Sequence, residues 1–187
     1  MANKRAPSKR KKINPHYWVF CEGETEESYV YFLRSIYRLP IEIVPKIVGN
    51  NITNKIIKNS KQNKPTHPKD RDFLMYDADV PAVLEKLKKI DFAELIISNP
   101  CIELWFLLHY KNQTAHITAN ECIKELSNRN GNTYKKGTID NQLEARLSQN
   151  YSKACERATK LKLYDNPSTS MYLFHSELEK SKKGNQE

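Results

Sequence analysis

No apolar stretch in these 187 residues approaches the roughly 20 that a membrane-spanning helix needs. The opening string MANKRAPSKRKK has no apolar centre, which excludes a secretory signal of the usual kind and leads us to expect a cytoplasmic protein. There is no CxxC pair. Cys21, Cys101, Cys122 and Cys155 are scattered, which favours ordinary buried thiols over a zinc site. The loop carrying Gly131 and Gly137 has no P-loop spacing, so this chain has no Walker site with which to hydrolyse ATP. No internal repeat is visible. Hydrophobic residues make up 39%, lean but sufficient for one main core.

What is present is charge, unevenly spread. The net formal charge is +9, and Lys4, Arg5, Lys9, Arg10, Lys11 and Lys12 supply six positive charges in the first twelve residues. Residues 1–14 therefore read as a flexible basic arm. It is either a solubilising tail or a phosphate-backbone contact whose mark would be salt-sensitive binding, with Lys9, Arg10, Lys11 and Lys12 as candidate nucleic-acid ligands.

From residue 15 to 112 the hydrophobic period switches repeatedly. Tyr17–Cys21 reads as a strand, and the helix after it carries Tyr29, Phe32, Leu33 and Ile36 at spacings of three and four. Ile41–Val48 reads as a second strand, with Pro45 marking an edge or a bulge. A helix is expected over Ile52–Lys61. Phe73–Tyr76 forms a third strand, Pro81 opens a helix, and Leu95–Ile97 forms a fourth strand. Asn99 and Pro100 then have the chemistry of a helix cap and first turn. Alternating strands and helices predict an α/β fold: a mostly parallel four-stranded sheet with helices on both faces. Strand signals stop near residue 112. Helices expected over Asn120–Asn128, Ile139–Leu147, Ser152–Leu163 and Pro167–Lys180 make residues 113–182 a helical C-terminal extension, with a tail at 183–187.

The acids are the informative feature. Glu22, Glu24, Glu26 and Glu27 crowd the point where the first strand gives way to a helix. Carboxylates there interact favourably with the helix dipole, or they hold a metal ion. If the strand order is 2-1-3-4, Glu22 after the first strand lies beside Asp77 and Asp79 after the third. Ligands gather at that end of a parallel sheet. An Asp-x-Asp pair in extended chain points both side chains one way. Three converging carboxylates raise one another's pKa, and Mg²⁺ (or Mn²⁺) relieves that repulsion. Glu103 sits in CIELWFLL, which is otherwise uncharged and apolar around the whole helix. It must be buried, and so paired with an arginine or lysine, or joined to the metal site. His109 is expected to satisfy itself at the C-terminus of that helix, and Trp105 to be core. Lys135, Lys136, Lys153, Arg157 and Lys160 read as a solvated face by default, with a nucleic-acid path as the alternative.

Four strings in order, VFCEGETEESYVYFL, MYDADV, ISNPCIELWFLLHY and DNPSTSMY, resemble the recurrent blocks of the RloB family over about Tyr17 to Leu178. That family is associated with restriction-modification and phage-defence loci, and the resemblance implies a TOPRIM-like core. It also implies a Mg²⁺-dependent nuclease or related phosphoryl-transfer enzyme on DNA or RNA, working in phage defence beside a partner ATPase. Glu22 matches the glutamate expected to act as acid/base or metal ligand, and Asp77 and Asp79 match the Asp-x-Asp metal pair. Glu26, one turn beyond Glu22, corresponds to a position that serves a second ion in TOPRIM nucleases of the OLD type. Val80-Pro81 departs from the further acid or glycine common after Asp-x-Asp. Ser168 and Thr169, in a matching block, read as a cap and first turn able to offer hydroxyls to phosphate. The alternative function is a non-catalytic nucleic-acid-binding or switch subunit of a defence complex.

Overall fold

The computed structural model describes residues 14–39 and 42–183. The basic arm and the residues after 183 lie outside this range, as does Ile41 at the start of the expected second strand. Five strands form one sheet in the order β2-β1-β3-β4-β5. They are β1 (His16–Cys21), β2 (Glu42–Ile47), β3 (Arg71–Asp77), β4 (Glu94–Asn99) and β5 (Ser168–Thr169). The first four run parallel, and β5 is antiparallel to β4, with Ser98 opposite Thr169 and Asn99 opposite Ser168. The sheet is thus mixed, with one more strand than the apolar runs predict. A two-residue strand buries too little to leave a periodic signal.

Eight helices accompany the strands among the described residues: α1 (Glu24–Tyr37), α2 (Asn54–Ser60), α3 (Pro81–Leu87), α4 (Glu103–Leu108), α5 (Ala119–Asn130), α6 (Asn141–Gln149), α7 (Tyr151–Thr159) and α8 (Met171–Lys183). None is long and apolar enough to cross a membrane. Pro45 sits on β2, an edge strand, where its missing N–H is tolerated.

Strand side chains alternate between two cores. Tyr17, Val19, Cys21, Phe73 and Met75 face one layer, built from α1 and the helices from α4 onward. Trp18, Phe20, Leu74 and Tyr76 face the other, with Ile57 of α2 and Val83 and Leu87 of α3. Burial on both faces is why β1 and β3 read as unbroken apolar runs. The helices after residue 112 cover the α1 face, which brings loops of the extension to the carboxyl ends of the strands.

Two expected helix starts are displaced. Asn99 is the last residue of β4 and donates through Nδ2 to the Tyr164 carbonyl at 3.0 Å. The helix after it begins only at Glu103, and the Ile102 N–H is taken by Asp77 Oδ1 at 2.9 Å. A carboxylate from another strand thus supplies what the local Asn–Pro pair was expected to supply. Likewise, the stretch expected to open a helix at Pro167 is β5, and α8 starts at Met171.

Candidate functional site

The strand order puts β1 between β2 and β3, with the reversal between β1 and β3, where ligands collect in open α/β sheets. Glu22 follows the last residue of β1 and Asp77 closes β3. They meet directly: the Asp77 N–H donates to Glu22 Oε2 at 2.9 Å. Glu26, in the first turn of α1, reaches back so that Oε2 accepts the Gly23 N–H at 3.1 Å. This is the carboxylate half of a capping box.

Glu22, Glu26, Asp77 and Glu103 line one cavity of about 270 Å³, together with Gly23, Glu24, Thr25, Ile102, Lys136 and Gly137. Glu103 is 1% exposed. Its Oε1 accepts the Tyr134 hydroxyl at 3.1 Å, while Oε2 is buried with no hydrogen-bond partner. Among the described residues no arginine or lysine forms an ion pair with it, one of the two arrangements expected for this carboxylate. A tyrosine from the loop between α5 and α6 stands in place of such a cation, as no sequence spacing could indicate.

Burial and crowding hold Glu22, Glu26 and Asp77 toward their protonated forms. Burial lifts the Glu26 carboxyl to about 7, and the charges of Glu103 and Glu22 add to it against opposing backbone hydrogen bonds. Asp77 is pushed well above the ordinary range by burial, then by Glu26, Glu22 and Glu103. Burial raises Glu22 too, although the Asp77 N–H and Lys136 pull the other way. Such a set of oxygen donors has the chemistry of a hard divalent-cation site, and the orphaned Glu103 oxygen fits the same reading.

The assembly differs from the sequence expectation in two respects. Asp79 is exposed and outside the cavity lining, though its charge still bears on Glu22 and Asp77. The chain bends after Asp77, so the i, i+2 rule for extended chain does not apply. Among the described residues, moreover, no three His, Cys, Asp or Glu side chains stand grouped closely enough to hold a metal as they are. Glu22, Asp77 and Glu26 each commit an oxygen to a backbone N–H. Gathering them around an ion takes side-chain rotation.

The remaining candidates fall out plainly. Ser168 and Thr169 are 1% and 2% exposed, too buried to meet a phosphate. Thr169 Oγ1 instead pairs with Ser98 Oγ at 2.8 Å. Lys9, Arg10, Lys11 and Lys12 lie outside the described residues. Glu24 and Glu27 sit in the first turn of α1 as dipole partners. His109 Nδ1 donates to the Trp105 carbonyl at 2.9 Å, and burial lowers its pKa to about 4, so it is a neutral, satisfied histidine. Trp105 is fully buried and donates to the Tyr29 hydroxyl at 2.6 Å. Tyr134 and Gly137 are the site residues missed from sequence, and Lys136, named there only in a run of surface cations, lines the cavity; nothing in the polar loop separates it from the exposed Lys135 beside it.

Fold and site together define an α/β protein with an acidic cavity at the switch point of a mostly parallel sheet. The chain matches the family described as RloB-like protein over residues 17–178, and it belongs to that family. No curated protein and no solved structure shows significant similarity to it.

Proposed function

We propose that this cavity binds Mg²⁺ or Mn²⁺ and that the protein is a metal-dependent phosphoryl-transfer enzyme, a nuclease with a TOPRIM-like core. The observation that carries this reading is the buried, unpartnered Glu103 oxygen in a cavity with four further carboxylates, Glu22, Glu24, Glu26 and Asp77, at the carboxyl end of the parallel strands. Glu22 and Asp77 would hold the ion. Glu103 would share it, and Asp79 would join by swinging in from its exposed bend. A bound divalent cation would supply positive charge to the phosphoryl oxygens.

This chain's own groups do the rest. Glu26, poised at about 7, suits a base that takes the proton of the attacking water. That water oxygen forms a bond to phosphorus, the bond from phosphorus to the leaving sugar oxygen breaks, and the leaving oxygen takes a proton from solvent. Glu22, fixed by the Asp77 N–H, orients the reacting groups. Nucleic acid as substrate is supported by the net charge of +9. A role in phage defence beside a partner ATPase rests on the family resemblance of the motif strings.

The test uses purified protein with single- and double-stranded DNA and RNA, with and without Mg²⁺ or Mn²⁺, beside Asp77→Asn and Glu26→Gln. Metal-dependent cleavage is expected, falling about 10²–10⁴-fold in Glu26→Gln. Absence of metal binding and of cleavage overturns the reading. Salt-sensitive nucleic-acid binding that persists in Asp77→Asn, without cleavage, would assign a binding subunit instead.

A further inference from the structure

We propose that Lys136 is a catalytic residue of this site, delivered by the helical extension to contact a non-bridging oxygen of the substrate phosphate opposite the metal. The inference rests on the metal-dependent reading above. Lys136 is the one cationic side chain among the residues lining the acidic cavity. Burial works against its charge, but Glu103, Asp77 and Glu26 outweigh that and raise its pKa, so it is an ammonium at any physiological pH. Yet among the described residues it makes no ion pair within 4.0 Å of any carboxylate. The lysine and the acids line one cavity without pairing, so the ammonium is left available to a phosphate bound there.

Its backbone is held in place on both sides. The Gly137 N–H donates to Thr25 Oγ1 at 2.9 Å, and Ser28 Oγ donates to the Gly137 carbonyl at 2.6 Å. Both partners lie on the first turns of α1. Gly137 has φ +74°, strained for a residue with a side chain, and a Cβ there would come 3.3 Å from Cβ and Oε2 of Glu24, which would have to give way. Two residues before Lys136, Tyr134 grips Glu103. The loop is thus pinned to both walls of the cavity with Lys136 between the pins. The side chain itself is exposed, as a group that meets substrate must be. Lys136 keeps its proton throughout the reaction; its part is to offset the charge gathering on the phosphoryl oxygens as the leaving bond breaks.

The test compares wild type with Lys136→Met and Lys136→Arg by three measurements. Mn²⁺ titration should show binding retained or tightened in Lys136→Met, because a repelling charge is gone. Binding of inorganic phosphate to the Mn²⁺-loaded protein should weaken about tenfold, and kcat should fall about 10²–10³-fold, with part of both restored in Lys136→Arg. A Lys136→Met protein that cleaves and binds phosphate like wild type overturns the proposal while leaving the metal site standing. Loss of Mn²⁺ binding in Lys136→Met, or a lowered melting temperature accounting for the lost activity, also overturns it by showing a structural role. If wild type itself neither binds Mn²⁺ nor cleaves, the underlying reading falls and this one with it.

Discussion

His175 offers the sharpest physical test of the packing. It is a buried residue of α8. Its Nε2 lies 2.5 Å from the Tyr29 hydroxyl and its Nδ1 3.0 Å from the Tyr37 hydroxyl, and the Tyr151 ring stacks on it at 4.4 Å. Trp105 Nε1 can only donate, so the Tyr29 oxygen accepts from it and passes its own proton toward Nε2. The neutral ring therefore carries its hydrogen on Nδ1 and donates to Tyr37. Burial, with a small contribution from His109, lowers the His175 pKa from 6.5 to about 3. Between those values the unfolded chain binds a proton that the folded chain refuses. The contribution of His175 to stability is complete above pH 6.5 and is lost as pH falls through this window. From pH 7 to pH 5 the loss from this group is about 2 kcal/mol. Other groups move with pH too; Glu26, raised to about 7, works in the opposite direction. The comparison must therefore be with His175→Gln, which keeps one acceptor and one donor but cannot titrate. Urea unfolding of both proteins at the two pH values should show wild type losing about 2 kcal/mol more than the variant. Equal losses would refute the assignment of His175 as a neutral, buried relay.

Two further expectations concern the site and the sheet. Tyr134→Phe removes the one donor among the described residues to the buried Glu103 carboxylate and should cost about 1–3 kcal/mol in metal-free urea unfolding; unchanged stability would mean that Glu103 finds another partner. Thr169→Val keeps the shape of β5 but takes the hydroxyl from Ser98 Oγ and from the Met171 N–H. It should destabilise by about 1–3 kcal/mol, and a change within about 0.5 kcal/mol would show the pairing to be energetically idle.

The sequence is most legible where burial is two-sided and the chain is regular. β1, β3 and β4 are continuous apolar runs because both of their faces are covered, and their order brings Glu22 to Asp77 as the 2-1-3 pattern requires. Glu103 is legible as buried because no other charge accompanies it on α4. What interrupts that legibility is tertiary. Asp77 caps the approach to α4 in place of Asn99, Asp79 turns outward where the strand ends, and Ser168–Thr169 pair with a strand about 70 residues earlier. Lys136 and Tyr134 reach the cavity only because the extension packs on the α1 face. A polar loop read by itself carries no trace of the surface it will meet.

The short strand β5 has a consequence for biosynthesis. Until residues 168–170 have emerged and turned back, the end of β4 at residues 97–99 presents open backbone donors and acceptors at the rim of the sheet. A nascent or truncated chain in that condition resembles a half-closed zipper, ready to catch another strand. Completion of the fold is thereby tied to the synthesis of residues 168 and 169, and products shortened before them should precipitate instead of surviving as working fragments.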